Sequence, residues 1–343
     1  MKKFEFFKSP DISAALLRSP QVIDQHITKG VLILTKADHL LNIFPILKKI
    51  YFIVERHGWH GVNESRLADV KLVEDLSTWE YSKKEFSSSI LLDIGPADFV
   101  DHSYFFPSNI NPQYDVIQIS CWSRRKRIEM LIDAASKLPH ISFVHLGHFE
   151  NNDIEDELLY KRECLKRAEK IAPNIHFPFS EVNDNSGLPT AKSEINFWIN
   201  KARIGLLTAT NEGINRFKME CFSADRPCLL PNDLSNTTLK HVTSQTGMLF
   251  EPNASALACA IEELLATRIK FSPRDYVLEK TGKERSLKKM RDALQAALFK
   301  EGGEGDFIDI DWDGRNESQL WGDDAYNLLV KLSFDGERIL EKL

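Results

Sequence analysis

The stretch that decides the fold runs from Val116-Ile117-Gln118-Ile119-Ser120, through Ile128, Leu131, Ala135 and Leu138, to Phe143-Val144-His145-Leu146. The first and last runs are short and largely apolar, as buried strands are. The four apolar residues between them fall on one face of a helix by 3.6-residue spacing. Strand, helix and strand therefore follow one another. The same alternation continues with apolar runs at Ile175–Phe177, Ile204–Thr208, Cys228–Leu230 and Met248–Phe250, and Leu257, Ile261 and Leu264 mark a further helix face. Such alternation predicts a parallel sheet covered on both sides, whose ligands bind beyond the carboxyl ends of the strands.

Upstream, Val31-Leu32-Ile33-Leu34, a helical stretch to Ile50 and Tyr51-Phe52-Ile53-Val54 repeat the pattern in shorter form, with weaker strands at Val70–Val73 and Ile90–Asp93. The first thirty residues read as irregular. Pro107, Asn109, Asn111 and Pro112 mark a linker. The chain of 343 residues exceeds one ordinary core, and three segments are expected: a small first domain over 1–110, a second over 111–298, and an acidic tail over 299–343 that packs back on the first domain.

Apolar residues make up 43% and charged residues 27%, enough for normal cores. A net charge of -6 and a pI near 6.0 give no global attraction to nucleic acid, so a bound anion needs a local cluster. Arg124-Arg125-Lys126-Arg127 is one, just after the first strand of the second domain; a solvated basic turn is its plain alternative. The five cysteines lack CxxC spacing and read as buried thiols of a reducing compartment. No apolar run reaches the ~18 residues of a membrane span and no leader pattern is seen, so a cytoplasmic protein is expected, with peripheral contact to the inner face of a membrane left open.

Thr208-Ala209-Thr210-Asn211-Glu212-Gly213-Ile214-Asn215-Arg216-Phe217-Lys218-Met219-Glu220-Cys221 follows a strand and opens a helix. Gly213, Ile214, Asn215 and Arg216 lie where backbone N–H groups and the helix dipole favour an anion such as a phosphate. Glu212 sits in the loop, and Glu220, about two turns on, has the two acceptor oxygens that suit a vicinal diol such as ribose. On spacing alone the pair also reads as a loop acid and a solvated helix residue paired with Arg216 at i,i+4.

The order of these landmarks resembles glycosyltransferase family 4, the group 1 retaining enzymes of the GT-B fold. The likeness spans roughly residues 95–298. It rests on Phe99-Val100-Asp101-His102-Ser103-Tyr104-Phe105-Phe106-Pro107, Lys126-Arg127, Leu146-Gly147, the E-x7-E pair Glu212 and Glu220, Glu220 through Pro227 in the place of "E-A-x-x-x-G-x-P", and Gly247-Met248-Leu249-Phe250-Glu251-Pro252. The resemblance implies two Rossmann-like α/β domains facing a cleft, with an unusually small N-terminal acceptor-side domain and a C-terminal donor domain. It implies transfer of a hexosyl-type sugar from a nucleotide-diphosphate sugar to an acceptor hydroxyl of a glycan, a lipid-linked sugar or a small molecule, with retention, with no cofactor and no metal, in surface polysaccharide or glycoconjugate synthesis. Glu212 would touch the donor sugar, Glu220 the ribose, and Lys126 the phosphates, with Gly213, Ile214, Asn215, Arg216, Arg124, Arg125 and Arg127 around the diphosphate. The family's glycine after the lysine is Arg127 here, and its upstream arginine would fall near Ser120 or Cys121, so Arg124 or Arg125 must substitute.

Arg56-His57-Gly58-Trp59-His60 follows the second strand. His57 is a candidate for the histidine that the family places near the reacting carbon; a loop histidine that is only hydrogen-bonded is the plainer reading. Asp309-Ile310-Asp311-Trp312-Asp313-Gly314 opens like a calcium loop but reaches Leu320 where a glutamate is needed, and reads as an acidic turn. Trp312, Trp321 and Tyr326 are expected to pack on the first domain, with stacking on a sugar acceptor as the alternative. A catalytically inactive GT-B-like binding or scaffold protein is the competing reading, because the first domain is short and the upstream arginine is displaced. A nucleotide enzyme of another class has less support, since no GxGxxG or GxxxxGK[ST] loop is present.

Overall fold

The structure, a computed structural model, describes residues 13–57, 66–73, 76–85, 89–150, 153–213, 215–267, 271–300 and 320–341. In chain order the elements are β1 (Ser13–Arg18), β2 (Gln21–Ile23), β3 (His26–Thr28), β4 (Gly30–Leu34), α1 (Ala37–Ile43), α2 (Leu47–Ile50), β5 (Tyr51–His57), β6 (Val70–Val73), α3 (Leu76–Glu85) and β7 (Ser89–Leu91). They continue with β8 (Tyr114–Cys121), α4 (Ile128–Lys137), β9 (Phe143–His148), α5 (Ile154–Ile171), β10 (Ile175–His176), α6 (Lys192–Asn200), β11 (Ala202–Leu206), α7 (Arg216–Ser223), β12 (Cys228–Pro231) and α8 (Asn236–Leu239). Last come β13 (Gly247–Phe250), α9 (Ala254–Ala266), α10 (Pro273–Lys280), α11 (Lys283–Lys300), β14 (Leu320–Trp321) and α12 (Gly322–Leu340).

The chain divides into two units, 1–99 with 283–343, and 100–282. The sequence reading assigned 283–298 to the second domain; the structure places α11 in the first unit. The reason lies in the alternation along β4. Val31 and Ile33 point to one face, where Leu287, Met290, Leu294 and Leu298 of α11 complete the core. Leu32 and Leu34 point to the other, where Leu40 and Leu41 of α1, Leu47 and Ile50 of α2, and Ala325, Leu329 and Leu332 of α12 cover them. A strand buried on both faces needs a layer on each side, and among the described residues α11 contributes to one layer and α12 to the other. α12 approaches α2 closely at Gly336, where a Cβ would stand 2.3 Å from Ile50 Cδ1.

The first sheet has the order β14-β1-β4-β5-β6-β7, parallel from β4 to β7 and antiparallel at β1 and β14. The first thirty residues are thus not irregular where described: β1 pairs with β4, and β2 with β3 form a separate hairpin. Ser13, Ala14 and Ala15 are buried but small, so β1 lacks the apolar signature of a core strand. The tail ends in a helix that runs to Leu340, and Tyr326 packs against Phe44 at 5.4 Å between ring centroids. Residues 309–314 and Trp312 lie outside the described residues, as does the Trp321 side chain.

The second unit holds one parallel sheet, order β10-β9-β8-β11-β12-β13. Its first strand, β8, lies in the middle, and the order reverses between β8 and β11. The helix faces read from the sequence are buried as expected, with Ile128, Leu131, Ala135 and Leu138 of the α4 segment and Leu257, Ile261 and Leu264 of α9 in one core with α5. Four cysteines are buried, whereas Cys259 is exposed on α9, because the apolar stripe of that helix runs through 257, 261 and 264 and leaves 259 outward. Among the described residues no helix is long and apolar enough to cross a membrane.

Candidate functional site

In an open parallel sheet, ligands bind beyond the carboxyl ends of the strands, where the strand order reverses. Here the two loops at that point are 122–127 after β8 and 207–215 after β11. They are stitched to each other through the main chain. Thr210 N donates to Arg125 O at 2.8 Å, and the Thr208 hydroxyl donates to Lys126 O at 2.5 Å. Gln118 Nε2 on β8 donates to Thr208 Oγ1 in the second loop at 3.0 Å, so a buried polar contact supports the loops from β8.

On this frame the charged groups converge. Lys126 Nζ donates to Glu212 Oε1, and Arg125 Nη1 reaches the same oxygen at 3.3 Å. Arg125 also pairs with Glu150, beyond the end of β9. The Lys126 and Glu212 side chains are each only 10% exposed, so the pair is shielded from water on most sides. Burial, with the Arg125 charge adding to it, pulls the Lys126 ammonium down to about 8. Burial likewise holds His148 down at about 4, helped by Lys126, and pushes the Cys121 thiol up to about 12. Burial alone would raise the Glu150 carboxyl, but Arg125 and Lys126 and its hydrogen bonds hold it below its ordinary value. The site thus gathers two cations against two carboxylates, with a neutral imidazole and a neutral thiol beside them.

Arg127 has a different task. Its backbone is left-handed (φ 48°, ψ 47°), and its guanidinium bonds Thr208 O at 2.5 Å, Ala209 O at 2.6 Å and the Asp233 carboxylate at 2.9 and 3.1 Å. The resembled family carries glycine at this position, and the left-handed φ is the reason glycine suits it. In this chain the arginine that replaces glycine ties the two loops together. Asp225, at the glycine position of the segment from Glu220 to Pro227, is also left-handed, with φ 59°. Arg124 turns the other way: it pairs with Asp156 at 3.4 Å and Glu163 at 3.1 Å and lies 5.1 Å over the Tyr160 ring, facing α5.

Glu212 is itself held at the backbone, its carbonyl accepting from the Thr238 hydroxyl at 2.5 Å. Gly213 is buried and Ile214 lies outside the described residues. Asn215 caps α7, its side chain accepting from Lys218 N at 3.0 Å, and the helix starts at the exposed Arg216. Glu220 stands half-buried one turn further along α7. His57 ends β5 in the first unit, paired with Val73, and its side chain is outside the described residues. Of the residues singled out in the sequence, the structure brings Arg125, Lys126 and Glu212 to one point, and it adds Glu150, His148, Thr208 and Asp233, to which the sequence reading gave no role. The carboxyl-end rule applied to β9 would have found Glu150, three residues after Gly147. Among the described residues no group of three or more His, Cys, Asp or Glu side chains is placed to hold a metal ion.

No family model matches the chain, and no curated protein does. Solved structures do. The HepE protein of Anabaena, in complex with UDP, is 13% identical with a TM-score of 0.59, covering 75% of this chain and 76% of HepE. Sucrose-phosphate synthase from Thermosynechococcus elongatus is 17% identical with a TM-score of 0.56, covering 73% of this chain and 69% of that one. A glycosyltransferase from Rickettsia africae is 15% identical with a TM-score of 0.57, covering 72% and 70%. At these identities the likeness shows the fold: two Rossmann-like α/β domains of the GT-B kind.

Proposed function

We propose that this chain is a glycosyltransferase that moves a sugar from a nucleotide-diphosphate sugar to an acceptor hydroxyl. The observation that carries the reading is the convergence of Lys126 and Arg125 on Glu212 at the strand-order reversal of the second sheet. That is where a ligand of such a sheet binds. Two cations within a few ångströms, one largely buried, suit a diphosphate leaving group, since charge-assisted hydrogen bonds gain strength where water is excluded. The fold shared with HepE, which has been solved with UDP and with UDP-glucose, supports a nucleotide-sugar donor.

In the proposed reaction the bond between the sugar C1 and the diphosphate oxygen breaks, its electron pair leaving with the nucleoside diphosphate. The acceptor oxygen forms the new bond to C1. Lys126 and Arg125 stabilise the charge that develops on the departing phosphates, a contribution larger in the transition state than in the bound donor. Glu220 on α7 receives the ribose diol and Glu212 the donor sugar hydroxyls. The acceptor proton passes to the departing phosphate oxygen, which makes Glu212 a positioning residue. We further propose retention at C1, a hexosyl donor, charge stabilisation by side chains without a metal, and an acceptor that is a glycan, a lipid-linked sugar or a small molecule of surface polysaccharide or glycoconjugate synthesis.

The test is a thermal-shift screen of UDP-, GDP- and ADP-sugars, with CMP-sugars as monophosphate controls that should give no shift, with and without a chelator, on the wild type and on Glu220→Ala. A ligand at 100 times its dissociation constant adds about 2.7 kcal/mol to stability. A shift with one nucleotide family that survives the chelator and vanishes in Glu220→Ala is the expected result. A folded protein that no donor stabilises would overturn the reading.

A further inference from the structure

We propose that Glu212 is a built-in competitor for the ligand's diphosphate, so that binding at this site is an exchange of anions on Lys126 and Arg125. The inference rests on the nucleotide-sugar reading. Glu212 Oε1 is the shared acceptor of Lys126 Nζ and Arg125 Nη1. An ammonium as deeply buried as Lys126, which is 8% exposed, is costly without a counter-charge, and Glu212 supplies it. A diphosphate brings negative charge to the same two cations. The Glu212 carboxylate cannot stay beside them without facing a like charge across a poorly screened pocket.

The backbone shows which parts move in the exchange. Arg125 O, Lys126 O and Glu212 O are all held, by Thr210 N at 2.8 Å, Thr208 Oγ1 at 2.5 Å and Thr238 Oγ1 at 2.5 Å. The loops keep their places while the side-chain ends change partners. Glu150 is a second, weaker competitor, because it pairs with Arg125 alone among the two cations and is more exposed, at 30%.

A specificity follows from this arrangement. A bare nucleoside diphosphate displaces Glu212 and offers it no new partner. A donor that carries hydroxyls beyond its diphosphate gives the released carboxylate two or more O–H donors. Glu212 therefore widens the gap between intact donor and spent nucleotide, which speeds release of the product.

Calorimetric titration of the full chain with inorganic pyrophosphate, UDP and UDP-glucose tests this, on the wild type, Glu212→Gln and Glu150→Gln. Glu212→Gln is expected to bind pyrophosphate and UDP about tenfold more tightly, the effect of about 1.4 kcal/mol, and to lose the advantage of UDP-glucose over UDP. Glu150→Gln, an exposed change that leaves the buried pair intact, is expected to tighten pyrophosphate and UDP about two- to threefold. If the wild type binds UDP and neither folded variant binds it more tightly, the exchange is overturned and the nucleotide reading stands. Should Glu212→Gln not fold, an unchanged Glu150→Gln overturns the exchange alone. If neither the wild type nor any variant binds pyrophosphate or any of the nucleotides and nucleotide-sugars of the thermal-shift screen, both are overturned.

Discussion

The Thr208 hydroxyl donates to the main-chain carbonyl of Lys126 at 2.5 Å while it accepts from Gln118 Nε2 at 3.0 Å. One side chain at the end of β11 thus fixes the backbone of the loop after β8. Thr208 is fully buried. Thr208→Val keeps the shape and removes the hydroxyl, leaving a carbonyl and an amide N–H without partners, at a cost of about 1–3 kcal/mol. Thr208→Ser keeps the hydroxyl and is expected to recover most of that. Urea unfolding of the three proteins measures the stability difference. Titration with UDP checks the second consequence, weaker binding in Thr208→Val, because the loop that carries Lys126 is no longer held.

Much of this site was legible before any coordinates. Glu212 and the Arg-Arg-Lys-Arg run stand in loops after strands that alternation locates, with Glu220 on the helix that follows, and a parallel sheet brings strand ends together. What did not show was the use of each cation. Four neighbouring basic residues look alike in sequence, yet only Arg125 and Lys126 reach Glu212, whereas Arg127 staples two loops and Arg124 faces α5. The left-handed turn at Arg127 sends successive side chains in different directions, and no spacing rule records it. The first unit was misjudged for a related reason. Its outer strand β1 has small buried residues, and its covering helices α11 and α12 come from the far end of the chain, where hydrophobic periodicity shows a helix but not its partner.

Gly147, near the end of β9, lies under the indole of Trp122, and a Cβ there would stand 2.2 Å from Trp122 Cε2. Trp122 is 2% exposed and stacks near His145 and Phe177, at 4.8 and 6.1 Å between centroids, so it has no room to retreat. Gly147→Ala forces the ring out of place and is expected to destabilise the second unit by about 1–3 kcal/mol, the usual range for overpacking. A lower melting temperature together with a changed tryptophan emission spectrum checks this. An unchanged melting temperature would show that the indole does not need this space.

Asn215 caps α7, its side chain accepting from Lys218 N at 3.0 Å. Asn215→Ala removes the cap and is expected to cost about 0.5–2 kcal/mol, whereas Asn215→Asp keeps an acceptor there. The two variants also separate stability from binding. The aspartate puts a negative charge at the helix terminus where we place the diphosphate, so it should retain stability while losing UDP affinity. Paired melting and titration experiments distinguish this from a cap that serves the fold alone, for which both quantities would recover together.

Lys126 gives the site a pH dependence whose sign differs for folding and for binding. Burial and Arg125 lower its ammonium from the ordinary lysine value of 10.5 to about 8. Below pH 8 it is protonated in the folded and unfolded chain alike. Between about 8 and 10.5 the unfolded chain keeps a proton that the folded one has released, so this residue adds stability as pH rises through that window. A diphosphate requires the charged form and binds the other way. UDP affinity is expected to fall from pH 7 to pH 9 by about tenfold, with proton uptake on binding, because the terminal phosphate of the ligand has lost its last proton near pH 6, below that window. Titrations in two buffers of different ionisation enthalpy count the protons. Lys126→Gln should bind UDP weakly with a flat profile over the same range, and a profile as steep as that of the wild type would assign the proton to another group.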